Sequence, residues 1–197
     1  RLGARLVDIN SLEHRALPAI DALYIGGGFP ETQAQALADN VTFRESLKEA
    51  IAGGLLVYAE CGGLMVLGER LVVDGKEFPM VGALPLSLVL EKKPQGHGYT
   101  VLEVTDKNPF YSVGESLKGH EFHYSKAVIH PSNDTRTVFK VLRGQGLDGQ
   151  KDGLSRKNVL ATYTHIHAGG NREWAKHFMK AVTGMKNNFF LSPEKKG

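Results

Sequence analysis

The sequence predicts an α/β fold in which a mostly parallel central sheet carries helices on both faces and continues into an antiparallel extension. In the first half of the chain, short apolar runs alternate with segments of helical spacing, as in strand–helix–strand units whose strands are parallel. Residues 80–142 instead contain apolar runs separated by turn residues, without a helical pattern. These runs indicate antiparallel strands, and a last apolar run followed by a helical segment completes the fold.

The first half supplies the parallel strands and the helices between them. Strands are expected at the apolar runs 5–9, 22–25 and 55–59. Apolar residues recur at helical spacing in three stretches, residues 34–38, 43–51 and 64–71. Pro30 suits the first turn of the first helix, and the pair Gly53 and Gly54 ends the second, as a helix C-terminus prefers.

The second half supplies the antiparallel strands and the final helix. Strands are expected at residues 80–90, 99–105, 120–129, 137–142 and 158–167. Asn171 is suited to cap a helix on which Trp174, Phe178 and Val182 share one face. Residues 186–197 are polar and lack periodicity, so we expect a loose tail after a single domain at residues 1–185.

The composition is that of a globular protein and argues against several function classes. Of the 197 residues, 42% are hydrophobic and 23% are charged, and no apolar run reaches membrane-spanning length. The net charge of +3 is small and spread along the chain, which argues against nucleic acid as a partner. A single cysteine excludes an internal disulfide. Because no signal peptide is visible, we predict a cytoplasmic protein that binds neither membrane nor nucleic acid.

Cys61, the only cysteine, lies where the apolar run 55–59 meets a helical segment. Gly62 and Gly63 follow it and Ala59 precedes it by two residues, so small neighbours surround a sharp strand-to-helix turn. This is a cysteine version of the nucleophile elbow, and the helix terminus behind it would favour a thiolate. The alternative is a buried structural cysteine, but the flanking small residues favour a nucleophile.

A cysteine nucleophile needs a base, and two of the eight histidines are well placed for that role. His165 and His167 end the last predicted strand, at the sheet edge where sites form in open α/β sheets. They alternate and so face the same side, where one can act as base and the other can orient it. The alternatives are structural histidines bonded to loops, or a metal pair, although no third ligand at suitable spacing is evident.

The run Gly26-Gly27-Gly28 also follows a strand and precedes a helix. Consecutive glycines let the backbone approach a ligand, and their N–H groups together with that of Gly62 would form an oxyanion hole. The alternative is a tight turn without further function. The run matches neither a Walker A loop nor the dinucleotide fingerprint, and no other segment matches a Walker A loop, so we expect no nucleotide site in this chain.

Four motifs in this order resemble one family: GGGFPE at 26–31, AECGG at 59–63, GHEFHYS at 119–125 and YTHIH at 163–167. They resemble the glutaminase domain of cobyrinate a,c-diamide synthases, which are class I, triad-type glutamine amidotransferases of the cobalamin pathway. The resemblance covers roughly residues 5–184. Close relatives of the family amidate sirohydrochlorin or nickel-sirohydrochlorin, and the segment 94–99 looks somewhat more like those relatives.

The resemblance implies a flavodoxin-like class I amidotransferase fold and a role for each motif. Cys61 matches the glutaminase nucleophile and His165 its base, while Gly27 or Gly28 would provide the oxyanion hole together with Gly62. Many class I enzymes carry a glutamate two residues after the base, where this chain has His167. A Cys-His dyad is therefore expected instead of the usual triad, with His167 as an orienting or substrate-contacting residue.

The resemblance also implies a substrate and a partner. L-Glutamine would be bound with the help of four candidate residues, Glu31, Leu64, His123 and Tyr124. No cofactor or metal is expected in this chain. Mg-ATP would bind an N-terminal synthetase domain that is absent from this sequence, with a tetrapyrrole acceptor at the domain interface, and the family's usual first strand and helix are expected to be missing. The alternatives are another cysteine hydrolase, or a non-catalytic tetrapyrrole-binding protein.

Overall fold

The computed structural model describes residues 2–167 and 169–191 of the chain. In chain order, the strands are β1 (Ala22–Ile25), β2 (Leu56–Glu60), β3 (Arg70–Val73), β4 (Lys76–Pro79), β5 (Leu86–Leu90), β6 (Gly96–Val104), β7 (Ser116–His123), β8 (Ser125–Ile129), β9 (Thr135–Arg143), β10 (Lys151–Arg156), β11 (Val159–Thr162) and β12 (His165–Ile166). The helices are α1 (Ala34–Asp39), α2 (Val41–Ala52), α3 (Gly62–Leu67) and α4 (Trp174–Leu191), with a 3-10 helix at Pro30–Gln33.

The main sheet has the strand order β1-β2-β11-β10-β9-β6-β7-β12. Strands β1, β2 and β11 are parallel, and the pairs from β11 through β10, β9, β6 and β7 to β12 are antiparallel. The α/β class and the antiparallel extension are therefore confirmed, although the parallel part is less extensive than the sequence predicted. A second sheet, ordered β4-β3-β5-β8, was not predicted.

Strand β2 is buried along its whole length, because helices cover both faces of the sheet. Val57 and Ala59 face the larger core, which α1, α2 and α3 complete. Leu56 and Tyr58 face the other core, against which Trp174, Phe178 and Val182 of α4 pack. The alternation along a strand thus places successive side chains in opposite cores, and the predicted apolar face of α4 is confirmed.

The predicted strand at residues 5–9 is absent. Leu6 is 88% exposed and Val7 is 41% exposed, so this short apolar run does not contribute to the sheet. β1 has β2 as its partner and lies at the edge of the sheet. Ile9 nevertheless packs against the larger core, which shows that the segment covers the fold without joining a ladder.

Three other predicted boundaries are wrong. The helix predicted at 64–71 begins earlier and ends at Leu67, because Gly68 takes an extended conformation against β5, where a Cβ atom would lie 2.8 Å from a Leu88 methyl carbon. The strand predicted at 80–90 is limited to β5, since Pro85 precedes it and lacks an N–H for a ladder. The final helix continues to Leu191, so no tail begins at residue 186. Residues 192–197 lie outside the described part.

Two predicted strands are each divided between different partners. The segment 120–129 breaks at Tyr124, so that β7 belongs to the main sheet and β8 to the second. The segment 158–167 breaks after Thr162: β11 pairs with β2 and β10, whereas β12 pairs with β7. Both breaks lie beside the candidate site. Within the described ranges, no helix has the length and hydrophobicity of a bilayer-spanning segment.

Candidate active site

Cys61 lies between β2 and α3 with φ of 46° and ψ of −100°, a conformation that is costly for a residue with a Cβ atom. Its N–H donates a 2.7 Å hydrogen bond to the Thr162 carbonyl at the end of β11, and its carbonyl accepts the Met65 N–H at 3.0 Å. The neighbouring strand and the following helix therefore hold the turn on both sides. This is the sharp strand-to-helix turn that the sequence predicts.

The two glycines after Cys61 are required by close backbone contacts. A Cβ atom on Gly62 would lie 2.8 Å from both the backbone nitrogen and the carbonyl oxygen of Gly28. A Cβ atom on Gly63 would lie 2.5 Å from the Ile25 carbonyl oxygen at the end of β1. The glycine loop 26–28 therefore packs directly on the elbow, and the candidate oxyanion residues Gly28 and Gly62 are neighbours.

The Cys61 thiol is buried, with a residue exposure of 4%, and Sγ donates to the Phe122 carbonyl at 3.7 Å. Burial raises the pKa of the thiol to about 12; the Gly62 N–H opposes this, and the Glu31 carboxylate adds to it. The expectation that the helix terminus favours a thiolate is therefore wrong for this state. The helix that follows Cys61, α3, has six residues. The thiol is protonated at neutral pH, so it needs a base.

Cys61 directly follows β2 and His165 follows β11 by three residues, so both lie beyond the carboxyl ends of two neighbouring parallel strands, where Thr162 is opposite Glu60. The His165 ring stacks on that of His120, with centroids 4.8 Å apart and an interplanar angle of 12°. Burial lowers the pKa of His165, and the neighbouring His120 and His123 lower it further. The imidazole is thus a neutral base at neutral pH. The hydrogen bond of the Cys61 thiol goes to Phe122 and not to His165.

Glu60 was missed by the sequence analysis, although it is an acid at the end of an otherwise apolar strand. Its side chain is 4% exposed, and Oε2 lies 3.8 Å from His165 Nδ1. Oε2 also accepts the Tyr24 hydroxyl at 2.9 Å, and Oε1 accepts the Ile166 N–H at 3.0 Å. Burial raises the pKa of Glu60, while these two hydrogen bonds oppose that rise.

His167 does not lie in strand β12, so the prediction that it shares a strand face with His165 is wrong. It is exposed, and its carbonyl accepts the N–H groups of Gly170 and Asn171. The Asn171 side chain does not act as the predicted helix cap. Its Oδ1 accepts the Lys118 N–H of β7, and its Nδ2 donates to the Lys118 carbonyl. These two hydrogen bonds tie Asn171 to β7.

A narrow cleft opens beside Cys61. It is lined by Gly28, Phe29, Glu31, Cys61, Met65, Leu90, Phe122, His123, Tyr124 and Ser125. Three of the candidate glutamine-binding residues line this cleft, whereas Leu64 is fully buried in the larger core and Met65 takes its place. The cleft measures only about 10 Å³ for a water-sized sphere, which is space for about one water molecule.

The wall behind the cleft is a buried polar network. The His123 ring stacks on Tyr163 with centroids 3.7 Å apart, and its Nδ1 lies 2.9 Å from the Ser125 carbonyl oxygen. The hydroxyl groups of Ser125 and Tyr163 lie 2.9 Å apart. His123 Nε2 is buried without a hydrogen bond, 3.6 Å from a Glu121 carboxylate oxygen. Glu121 and His123 lie on the buried face of β7.

Asp152 of β10 fixes the break between β11 and β12. Its carboxylate is completely buried and accepts the Thr162 hydroxyl at 2.7 Å. It also accepts the N–H groups of Tyr163 and Thr164, at 3.0 and 3.1 Å. These bonds hold the segment that leads into His165. In the ranges 2–167 and 169–191, no three His, Cys, Asp or Glu side chains are grouped as metal ligands.

Comparison with known proteins identifies the family of this chain. The model of the CobB/CobQ-like glutamine amidotransferase domain matches residues 1–173. The cobyrinate a,c-diamide synthase of Magnetococcus marinus is 43% identical over 88% of this chain and 37% of its own length. That of Archaeoglobus fulgidus is 42% identical over 93% of this chain and 40% of its own length. The chain therefore spans about two fifths of these relatives.

Solved structures support the same fold. A glutamine amidotransferase superimposes with a TM-score of 0.60 and 18% identity, covering 83% of this chain and 80% of that one. The PurLQS structure from Thermotoga maritima superimposes with a TM-score of 0.59 and 15% identity, covering 86% and 82% of the two chains. At such identities the likeness concerns the fold. The family match and the two sequence relatives decide the assignment, and the chain belongs to the CobB/CobQ-like glutamine amidotransferase domains.

Proposed function

We propose that this chain is the glutamine-hydrolysing domain of an ATP-dependent tetrapyrrole a,c-diamide synthase, of the kind that acts on cobyrinate. The observation that carries the proposal is the elbow at Cys61, with the glycine loop and His165 beside it. The 43% and 42% identical relatives are named cobyrinate a,c-diamide synthases, and these names are the basis for proposing cobyrinate as the acceptor. In this reading the chain takes ammonia from glutamine, and the rest of the protein transfers it to acetate side chains.

The first half-reaction forms a thioester. Cys61 Sγ attacks the side-chain amide carbon of glutamine, and its proton passes to His165, which the lowered pKa keeps neutral beforehand. A C–S bond forms as the carbonyl π bond opens to an oxyanion. The imidazolium then returns the proton to the amide nitrogen, the C–N bond breaks, and ammonia leaves.

The second half-reaction regenerates the thiol. Water attacks the thioester carbon while His165 accepts its proton, and the C–S bond breaks with that proton returning to sulfur. Glutamate is released. Both tetrahedral intermediates carry an oxyanion, for which the N–H groups of Gly62 and of Gly27 or Gly28 are the proposed donors, each worth about 2.7–4 kcal/mol. The contact between Gly28 and the Gly62 position supports this assignment.

Glutamine would occupy the cleft beside Cys61, with Glu31, His123 and Tyr124 among its contacts. The cleft is narrow, and in this proposal it widens as glutamine enters. The loop 26–28 with exposed Phe29 is the proposed moving element, since glycines reorient their peptide groups at little steric cost. Engagement of a synthetase domain, which would bind Mg-ATP and the tetrapyrrole, is the proposed trigger.

The proposal is tested by steady-state glutamine hydrolysis with this chain alone and mixed with a purified synthetase domain, Mg-ATP and acceptor. Cobyrinate, sirohydrochlorin and nickel-sirohydrochlorin form three acceptor arms, with the amide products read by mass spectrometry. We expect low activity alone, a rise in the complete mixture, and diamide formation with cobyrinate. The matched control is Cys61→Ser, which should retain the fold and lose activity in every arm. Hydrolysis by the serine variant at the native rate would overturn the proposal.

A further inference from the structure

We propose that Glu60, the residue immediately before the nucleophile, is the acid that orients His165 and stabilises its imidazolium form. The inference rests on the glutaminase function proposed above and adds a positioning residue to it. In many class I enzymes the orienting acid stands two residues after the base. In this chain that position is residue 167, which is an exposed histidine. The structure instead places the Glu60 carboxylate beside His165, and Glu60 is the last residue of β2, the strand that leads into the nucleophile.

The geometry places the two groups side by side. Glu60 Oε2 lies 3.8 Å from His165 Nδ1, which is within ion-pair distance. A carboxylate on the Nδ1 side keeps that nitrogen protonated and leaves Nε2 to act as the base. This is the tautomer that a Cys-His-acid arrangement requires, and such arrangements are defined by roles and geometry, not by chain order.

Glu60 is fixed firmly enough to orient a ring. The Tyr24 hydroxyl on β1 and the Ile166 N–H on β12 donate to its two oxygens, one to each. Ile166 directly follows His165, so the bond ties the backbone of the base to the acid. The Glu60 side chain is 4% exposed, which shields its charge from solvent and strengthens its action on a neighbour.

Charge balance around His165 points to the same role. β7 presents His120, stacked on its ring, and His123, and both oppose protonation of His165. The glycines at 26–28 present no charge. Glu60 is therefore the group beside the ring that favours the imidazolium formed when Cys61 loses its proton. Burial raises the pKa of Glu60 and lowers that of His165.

The test compares Glu60→Gln, Glu60→Asp and His167→Gln with the native chain. In each, the pKa and tautomer of His165 are read by NMR titration of its ring, and kcat and KM for glutamine are measured with the synthetase domain present. Glu60→Gln should lower the pKa of His165 by about one. It should also lower kcat by about 10²-fold or more while KM changes less than about threefold. Glu60→Asp should restore part of both, and His167→Gln should alter neither as much.

Unchanged His165 titration and kcat in a folded Glu60→Gln protein would overturn the inference and leave the glutaminase proposal standing. A native protein without glutaminase activity would overturn the glutaminase proposal, and the ring titration would still report on the pair. Tyr24→Phe is the second variant if Glu60→Gln does not fold. It keeps the carboxylate and removes only its phenol hydrogen bond, so it should shift the His165 tautomer population. An unshifted population there would also count against the inference.

Discussion

The ring of His165 lies where the side chain of residue 27 would begin. A Cβ atom built on Gly27 overlaps the imidazole at Cε1 and lies 2.8 Å from Nδ1. Gly28, the next residue, has open space at the same position. Neither glycine has a left-handed backbone, so alanine tolerates the backbone conformation at both positions and the two variants test the space around the added methyl group. The glycine loop and the candidate base are therefore fitted to each other.

Gly27→Ala should displace the His165 ring and lower kcat for glutamine hydrolysis by about 10²-fold, the usual cost of misplacing a catalytic group by about 1 Å. Gly28→Ala is the matched control, because alanine keeps the backbone N–H that an oxyanion hole needs. It should cost far less. Steady-state kinetics of both variants decide the matter, and equal losses would show that the loop acts through its backbone and not through room for His165.

Buried Cys61 should be a poor nucleophile toward neutral alkylating reagents near neutral pH. Burial raises the pKa of its thiol to about 12, so the thiolate fraction should grow about tenfold per pH unit across the range from 7 to 10. The measurement is the iodoacetamide alkylation rate at each pH, followed by mass spectrometry. Cys61 is the only cysteine, so the modified mass is unambiguous. A plateau near pH 7 would contradict the expectation and restore the thiolate predicted from the sequence.

His165 should matter more than His167. If His165 is the base, His165→Ala should lower kcat by about 10²–10⁴-fold, the usual contribution of general acid–base catalysis. His167 is exposed, and its carbonyl accepts two backbone N–H groups that any substitution leaves in place, so His167→Ala should cost less than tenfold or so. Rates for both variants with the synthetase domain decide the order. The reverse ranking would show that the base had been misassigned.

Local features of the site could be predicted from the sequence, whereas its long-range partners could not. The elbow is encoded in consecutive residues, and small neighbours around Cys61 sufficed to find it. Glu60 is held in place by hydrogen bonds from Tyr24 and Ile166, which are 36 and 106 residues away along the chain. No spacing rule links such positions. The sequence analysis therefore assigned no role to Glu60.

The same limit explains the divided strands. The segment 158–167 reads as one apolar run, yet its two halves pair with different neighbours, β2 and β10 first and then β7. The break between them is stabilised by Asp152, a residue of the preceding strand, which the sequence analysis did not identify. Alternation placed His165 and His167 on one side because it assumed an unbroken strand. Where the strand ends at Ile166, the rule of alternation ends too.

Asp152 provides a prediction about stability. Four donors point at its two oxygens: the N–H groups of Gly153, Tyr163 and Thr164, and the Thr162 hydroxyl. In Asp152→Asn, an NH₂ group faces at least one N–H donor, and a buried unsatisfied donor costs about 1–3 kcal/mol. We expect a corresponding fall in the free energy of unfolding, measured in urea. Asp148→Asn is the control, because exposed Asp148 accepts two N–H groups in a surface turn and its loss should matter less.

The pH dependence of this difference carries a definite sign. Burial raises the pKa of Asp152, although its hydrogen bonds oppose the rise. A carboxyl group whose pKa is higher in the folded state contributes stability below its unfolded pKa of about 3.9 and loses that contribution as the pH rises through the folded value. Asparagine has no such dependence, so the gap between native and Asp152→Asn proteins should narrow as the pH rises from about 4. A gap that widens instead would show that the four hydrogen bonds outweigh burial and hold the carboxylate ionised.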